Sequence, residues 1–588
     1  MSAILDSYNE ADVVSRNLCG VVDIGSNAIR FSISSKASHH ARIMPCVFKD
    51  RIGISLFEVQ YCGNSMEKVP IPLDTIKEVC AAMKRFKLIC DDFGVPETGV
   101  RVLATEATTS AINCNEFTDA IFQSTGWEVE LLSNEDEGRI GSYGVISSFN
   151  SVSGLYIDLT AGSVQISWIK CIEGEILQSS TPISLPYGAS ALERRMKFQD
   201  KRDIFVEIEN AFKDAVSNIG IPDDLVTEAE ENGGFNLFTC GGGLRGMGHL
   251  LLSLNKQYPI QTIINGFSCS YEEFSAMSDY LFLTGKLPGT QKDLKIFKVS
   301  DKRAAQLPAV GLLMSAAFKA LPKVSNILFS EGGIREGTLY SILPREIRAQ
   351  DPLLIATRPY APLLASKYLS LLRSAIPEKE VPAVVYHRVA LALCNLAFVH
   401  ASYPKELQPT AALHVATTGI IAGCHGLSHR IRALIGIALC NRWGGDLPQS
   451  EKVNKKALEN IVLRDGEKVE RQRMVWWSKY IGTIMYVICG VHPGGNIRDG
   501  AFTFTVLEDS EVEKDMRTLS VNENAPSSSL QCPQKRTFTA IVKISKDDLK
   551  TSASVRQRII TLQKKIRKLS RGSCEKVRIE VKFLKDGQ

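Results

Sequence analysis

The sequence predicts an α/β protein of two lobes, followed by an all-helical domain and a small α+β C-terminal module. Three observations predict it. Strand-like and helix-like segments alternate from Leu18 to about Ile342. From about Pro352 to Cys489 strand signals fade, and apolar-periodic stretches such as Val389–His400 and Arg432–Cys440 read as helices. Then Thr537–Ile544, Ser552–Leu569 and Val577–Phe583 read as strand, helix and strand. A chain of 588 residues is too long for one core and suits three or four domains.

Leu18–Ser34 reads as strand, tight turn, strand. A helix follows over Asp74–Asp92, with Ile76, Val79, Met83, Phe86 and Ile89–Cys90 on one face. Thr75 and Glu78 have capping-box spacing at its start. Gly94–Pro96 breaks it from the short buried strand Val100–Ala104. Trp127–Leu132 is another strand, leading through Asn134–Arg139 into a helix. The predicted boundaries are 16–130 for the first lobe, 131–345 for the second and 346–505 for the helical domain. A Ser-, Asn- and Pro-rich linker covers 506–536, and a basic βαβ-like module covers 537–588. That module's helix carries Lys564, Lys565, Arg567, Lys568 and Arg571 opposite the apolar Val555, Ile559, Leu562, Ile566 and Leu569. This face suits an acidic or phosphorylated protein partner; without interleaved aromatics, direct nucleic-acid binding is not expected.

Composition narrows the class. Hydrophobic residues at 44% and charged residues at 23% are ordinary for globular protein. No apolar run reads as long enough to span a bilayer, Ile481–Val491 being the nearest, so no membrane is expected. Asp6, Glu10 and Asp12 make the start acidic, unlike a signal or transit peptide. Fifteen cysteines without a C-x-x-C pair suit reduced thiols in a cytoplasmic chain. A net charge of +5 over this length does not point to nucleic acid.

Two segments carry the chemistry. Val21–Asn27 and Tyr156–Ser163 each read as a buried strand that delivers an aspartate into a turn of small residues. Such a turn lets several backbone N–H groups point at one anion. The aspartates, Asp23 and Asp158, can hold a hydrated divalent cation that bridges phosphate oxygens. Asp23 alone would be ordinary hairpin chemistry. Its companions along the chain make the case.

Asp23-Ile-Gly-Ser-Asn-Ala-Ile-Arg30 resembles the first phosphate loop of the exopolyphosphatase/guanosine pentaphosphate phosphohydrolase family. Ala104–Thr108, Glu135–Arg139, Asp158–Gln165, Ser184–Ala189, Gly241–Gly243 and Gly333–Gly337 follow in that family's order. The resemblance implies two actin-like (ribonuclease H-like) ATPase lobes. It places Asp23, Gly25, Ser26, Asn27, Arg30, Asp158, Gly162, Ser163, Gly241, Gly242, Gly243 and Arg335 around nucleotide or phosphate, with Mg²⁺ held by Asp23 and Asp158 through water. Glu137 takes the place of the water-positioning base. Plainer readings stand beside these. Glu137 lies among three acids where a helix dipole favours them, Gly241–Gly243 could be a flexible connection, and Arg335 could brace a helix start.

Three departures weigh against turnover. The family's Asp-x-Gly-Gly-Gly-Ser-Thr-Glu reads Asp158-Leu-Thr-Ala-Gly-Ser-Val-Gln165 here. Thr160 and Ala161 add Cβ atoms where φ > 0 could be required, and Gln165 replaces a carboxylate. Thr109 stands where the family places a phosphate-binding arginine. One lost charge-stabilising contact typically costs roughly 10²–10³-fold in rate. In the helical, HD-like domain, His414-Val415 lacks the adjacent carboxylate of metal-dependent phosphohydrolases, so no structural metal is expected. His414, His425 and His429 remain as a candidate vestigial ligand set, with plain hydrogen bonding as the alternative.

The blocks Arg16–Gly20, Ser35–Ala37, His39–Pro45, Ile497–Asp499 and Ser545–Ser552 resemble a fungal branch of the family that relays mitochondrial dysfunction to nuclear metabolic genes. The branch implies a cytosolic regulator that binds ATP or another phosphorylated ligand and captures a phosphorylated repressor protein. An active exopolyphosphatase or guanosine pentaphosphate phosphohydrolase is the alternative.

Overall fold

The computed structural model describes residues 17–61, 67–288, 296–464, 468–493, 502–508, 536–544, 553–571, 573 and 575–583. The acidic start, Ile497–Asp499, Ser545–Ser552 and most of the expected linker lie outside these residues. The chain forms two compact units. The first runs to Ile355 and takes back Cys424–Ser428; the second holds Ala356–Gly423 and the described residues from His429 onward.

The first unit contains two sheets. In one, β1 (Leu18–Gly25), β2 (Ala28–Ser35), β3 (Cys46–Ile52), β4 (Val100–Ala104) and β5 (Val129–Leu131) lie in the order β3-β2-β1-β4-β5. The first three are antiparallel; β4 and β5 run parallel to β1. The other contains β6 (Val152–Leu159), β7 (Val164–Ile172), β8 (Glu175–Gln178), β9 (Ile183–Leu185), β10 (Phe235–Cys240), β11 (Ser268–Ser270) and β12 (Val324–Phe329). Its order, β11-β12-β10-β6-β7-β8 with β9 paired on β7, repeats the plan: an antiparallel meander of three strands, then the parallel β10 and β12 beside its first member, with β11 added antiparallel at the edge. The phosphate-type hairpins therefore sit at equivalent places in two lobes of like topology.

Burial explains the hairpins. Every residue of β1 but the last is buried, so it is a central strand covered on both faces. Val22, Ile24, Ile29, Phe31 and Ile33 pack with Ile76, Val79, Met83 and Phe86 of helix α1 (Leu73–Asp92). Phe31 stacks on Phe86 at 4.6 Å between ring centroids. Burying each such side chain contributes about 1.5–3 kcal/mol, which holds the turn at the end of β1 in place. The capping box expected at Thr75 and Glu78 does not form, because α1 begins earlier, with Pro72 as its N-cap, and Thr75 lies inside the first turn.

Helix α2 (Asn134–Ser147) begins at Ser133, whose hydroxyl accepts the Asp136 N–H at 3.0 Å. Helix α3 (Gly241–Leu254) covers the second sheet, α4 (Asp301–Ala320) packs on α3, and α5 (Ile334–Ser341) packs on α2. A Cβ on Gly144 would overlap Gly333 O, and one on Gly337 would overlap Ile140 O. Gly144 on α2 and Gly337 on α5 thus serve a close helix crossing.

In the second unit, α6 (His429–Arg442) packs on α7 (Lys468–Val491), and α8 (Ala553–Ser570) lies against α7. The apolar stretch Val389–His400 is not one helix: Ala390–Asn395 is helical and turns follow. Length and hydropathy alone would let α7 cross a membrane, yet 78% of that window is buried in the protein. A strand not expected from the sequence, β13 (Phe502–Glu508), pairs antiparallel with β14 (Arg536–Ile544), which runs parallel to β15 (Glu575–Phe583). The basic helix α8 is partly committed. Arg558 and Lys565 lie over the Tyr486 ring, at 4.9 and 5.1 Å, while Lys564, Arg567, Lys568 and Arg571 remain exposed.

Candidate functional site

The first turn, Ser26-Asn27, is a two-residue link between Gly25 and Ala28, which face each other across β1 and β2. Ser55 secures it by donating to Ser26 O at 3.3 Å and Asn27 Oδ1 at 3.1 Å. The second turn, Thr160–Ser163, closes on itself. Thr160 N–H donates to Ser163 O at 3.0 Å, and the Thr160 hydroxyl accepts Ser163 N–H at 3.1 Å. The N–H groups of Ser26, Asn27, Ala161 and Gly162 have no protein acceptor among the described residues. Each turn therefore offers two donors, as an anion nest requires. Neither Thr160 nor Ala161 has positive φ, so the strain their Cβ atoms threatened does not arise.

The carboxylates gather behind these turns. Asp23 is 2% exposed and accepts from Arg30 Nη1 at 3.0 Å. Asp158 is buried opposite Gln165 across β6 and β7, and its Oδ1 lacks a hydrogen-bond partner. Burial raises its pKa, opposed by the charges of Arg245 and Arg30. Both amide atoms of buried Gln165 are also unpartnered. Glu137 is 5% exposed, and its Oε2 accepts Glu106 N–H at 3.3 Å. Burial and then the charge of Asp158 push its pKa up to about 8.

Sequence reasoning named Arg30 but missed the three arginines that gather around it. Arg30 and Arg51 are cross-strand partners on β2 and β3. Arg245 on α3 and Arg303 on α4 meet them near the glycine helix start, where Arg303 Nη2 fills the place of a Cβ on Gly242. Burial, with the charges of Arg245, Arg30 and Arg51, pulls Arg303 down to about 10. Four mutually repelling guanidinium groups thus gather beside the positive end of a 14-residue helix, a charge arrangement that a polyanion would neutralise. Only the register of β2 and β3 could have pointed to Arg51; Arg245 and Arg303 arrive from elements distant in sequence.

Gly241, at φ +84°, must be glycine, since a Cβ would overlap Leu159 O and Asp158 Oδ1. Arg335 does not join the arginine set. It donates to Phe31 O at 3.2 Å and pairs with Glu336 at 3.4 Å, bracing α5 against β2. Although burial opposes it, Arg335 and His425 hold Glu336 down to about 2. The candidate histidine set is not assembled. His425 lies 2.9 Å from the Ser147 hydroxyl in the first unit, while His414 bonds Glu451 at 2.8 Å in the second. No group of three His, Cys, Asp or Glu side chains converges for a metal among the described residues. Asp23 and Asp158 supply two carboxylates, a set that fits Mg²⁺ completed by water and phosphate oxygens, and the unpartnered Asp158 Oδ1 accords with such an ion.

Both turns border one cavity of about 420 Å³, lined by Ser26 and Gly162 among others. Two hairpin-led lobes of like topology, meeting at a shared cavity, define an actin-like α/β protein. The profile of the Ppx/GppA phosphatase family matches residues 32–346, and that of the RTG2 C-terminal domain matches residues 351–581. The chain belongs to the Ppx/GppA phosphatase family, in the branch that carries the RTG2 C-terminal domain. It is 66% identical over 588 residues, all of both chains, to Retrograde regulation protein 2 of Saccharomyces cerevisiae. It is 23% identical over 260 residues to Guanosine-5'-triphosphate,3'-diphosphate pyrophosphatase of Vibrio atlanticus, covering 44% of this chain and 47% of that one. Among solved structures, the Aquifex aeolicus member of the Ppx/GppA family covers 55% of this chain and 96% of its own, at 21% identity and a TM-score of 0.43.

Proposed function

We propose that this protein is a cytosolic regulator of mitochondria-to-nucleus signalling that binds a nucleotide or another phosphorylated ligand between its lobes. Ligand binding then gates capture of a phosphorylated repressor protein, which permits metabolic gene transcription. The full-length similarity to a retrograde regulation protein supports the signalling part. One observation carries the ligand part: two turns with free N–H groups lie in the same unit as a crowded set of Arg30, Arg51, Arg245 and Arg303. Such crowding is unfavourable until an anion neutralises it. Mg²⁺, held through water by Asp23 and Asp158, would complete the phosphate contacts.

The ligand transmits a signal only if it binds two states of the protein with different affinity. Asp23→Ala should therefore abolish capture of the phosphorylated repressor while circular dichroism and thermal unfolding remain those of a folded protein. Undiminished capture would refute gating.

A second reading, slow phosphoanhydride hydrolysis, rests on Glu137, a buried carboxyl whose pKa lies near working pH, as a general base requires. Phosphate release from polyphosphate or guanosine pentaphosphate that vanishes in Glu137→Gln would support it. Thr109 and Gln165 argue for binding without fast release.

A further inference from the structure

Strand β15 ends the sheet of the second unit, and among the described residues no strand pairs with its outer edge. Three bonds show which backbone groups point there. Glu575 N–H donates to Ser573 Oγ at 3.2 Å, and Val577 N–H donates to Ser570 Oγ at 3.3 Å. Ile579 O accepts from Gln563 Nε2 at 3.3 Å. The N–H and C=O of one strand residue point the same way, and successive residues alternate. Glu575, Val577, Ile579 and Val581 therefore turn their backbone groups outward. Val577 O, Ile579 N–H and both backbone groups of Val581 have no protein partner among the described residues. The three side-chain bonds are long, and they exchange for backbone bonds at little net cost.

Positive charge borders this edge on both faces. Gln563 and Ser570 of α8 reach the edge, and Arg567, between them at helical spacing, lies on the same stripe. Lys564 and Arg571 flank it, and all three cations are exposed. Val577 is buried and α8 packs on β15, so alternation turns Lys576, Arg578 and Lys582 to the other face, where they are exposed. Little acid balances them. Of the two acids on α8 and β15, Glu575 is 2% exposed and tied to Arg473 at 2.6 Å, which leaves Glu580.

We infer that β15 is a docking edge for an acidic segment of a partner protein, which adds to the sheet as a fourth strand. Side chains of such a strand alternate between faces. One set meets Arg567 and the other meets Arg578, so the segment is acidic at successive positions rather than amphipathic. Two other occupants fit less well. A second copy pairing antiparallel about Ile579 would set Lys576 opposite Lys582, and like charges directly opposite are destabilising. Nucleic acid cannot continue a strand ladder, and α8 has no aromatic residue on which a base could stack. The docking edge lies wholly in the second unit and needs neither the phosphate ligand nor the gating of capture.

The test is fluorescence anisotropy of the ligand-free full chain with a labelled peptide, Asp-Glu-Val-Glu-Glu-Ile-Glu-Asp. The same peptide N-methylated at every residue keeps the charge and loses the backbone donors. We expect saturable binding of the first and at least tenfold weaker binding of the second. Arg567→Glu and Arg578→Glu, both at exposed positions, should each weaken the first at least tenfold, while Lys452→Glu on another helix stays within twofold. No binding, equal binding of the N-methylated peptide, or full binding by both arginine variants overturns strand addition. Single-stranded RNA that binds more tightly than the peptide assigns the surface to nucleic acid and overturns it too. A wild-type dimer that the peptide dissociates assigns the edge to a second copy, with the same result.

Discussion

Asp158 and Gln165 stand directly opposite one another on β6 and β7, both buried, and Asp158 Oδ1 and both Gln165 amide atoms lack a hydrogen-bond partner. The other lobe holds a cation at the corresponding task, since Asp23 faces Arg30 and pairs with it at 3.0 Å. In the second lobe the neutral amide leaves the aspartate to be balanced from outside its own hairpin, by Arg245 and Arg30. Gln165→Glu would add a carboxyl beside Asp158 and Glu137. We expect it to destabilise the metal-free protein by about 1–3 kcal/mol, with recovery of the melting temperature in millimolar Mg²⁺. A variant as stable as wild type without Mg²⁺ would contradict this charge balance.

Glu137 gives the protein a defined pH response. Its native pKa of about 8 lies above its ordinary value of 4.5. Between those values the native state binds more protons than the unfolded state, so this group's contribution is full below about pH 4.5 and is lost as pH rises toward 8. Glu137→Gln removes the penalty and can still accept the Glu106 N–H. The variant should gain on wild type steadily from pH 5 to pH 8 in urea unfolding, by on the order of a few kcal/mol. A constant difference across that range would show that Glu137 ionises normally.

The arginine set carries a second stability signature. Arg303→Ala should weaken tripolyphosphate roughly tenfold, while the melting temperature of the ligand-free protein stays the same or rises, because one repelling charge is gone. A marked loss of stability in the free protein would assign Arg303 a structural task through Gln306, its partner at 2.9 Å.

Two glycines of one motif should respond differently to alanine. Gly337→Ala drives a methyl into Ile140 O across the α2–α5 crossing, whereas a Cβ on Gly333 meets nothing within 4 Å. The first should destabilise by about 1–3 kcal/mol, and the second should be close to neutral in thermal unfolding. Equal effects would mean that the crossing has room for a methyl at Gly337.

Local chemistry made much of this legible in the sequence. The strand, turn, strand pattern at Leu18–Ser34 follows from a run of buried apolar residues ending in Gly-Ser-Asn, and β1 and β2 lie where that pattern places them. Asp23, Ser26, Asp158 and Gly162 were identifiable because turn and motif are both encoded within a few residues. Arg51, Arg245 and Arg303 were not, since strand pairing and helix packing bring them together from three separate segments. Strand β13 was overlooked although Phe502-Thr-Phe-Thr-Val506 alternates aromatic and β-branched residues as a strand does, because it lies at the boundary between the helical segment and the polar one. The strain expected of Thr160 and Ala161 depended on backbone angles, and the Thr160 hydroxyl instead closes the turn with φ negative.

Calorimetric titration of the wild-type protein and of Arg245→Ala with tripolyphosphate and Mg²⁺–ATP, with free phosphate assayed in the same samples, shows whether the protein holds a phosphorylated ligand without cleaving it. We predict saturable heat for wild type, at least tenfold weaker binding in the variant, and little phosphate released. No heat with either ligand would contradict the phosphate site; rapid phosphate release would contradict its role as a binder.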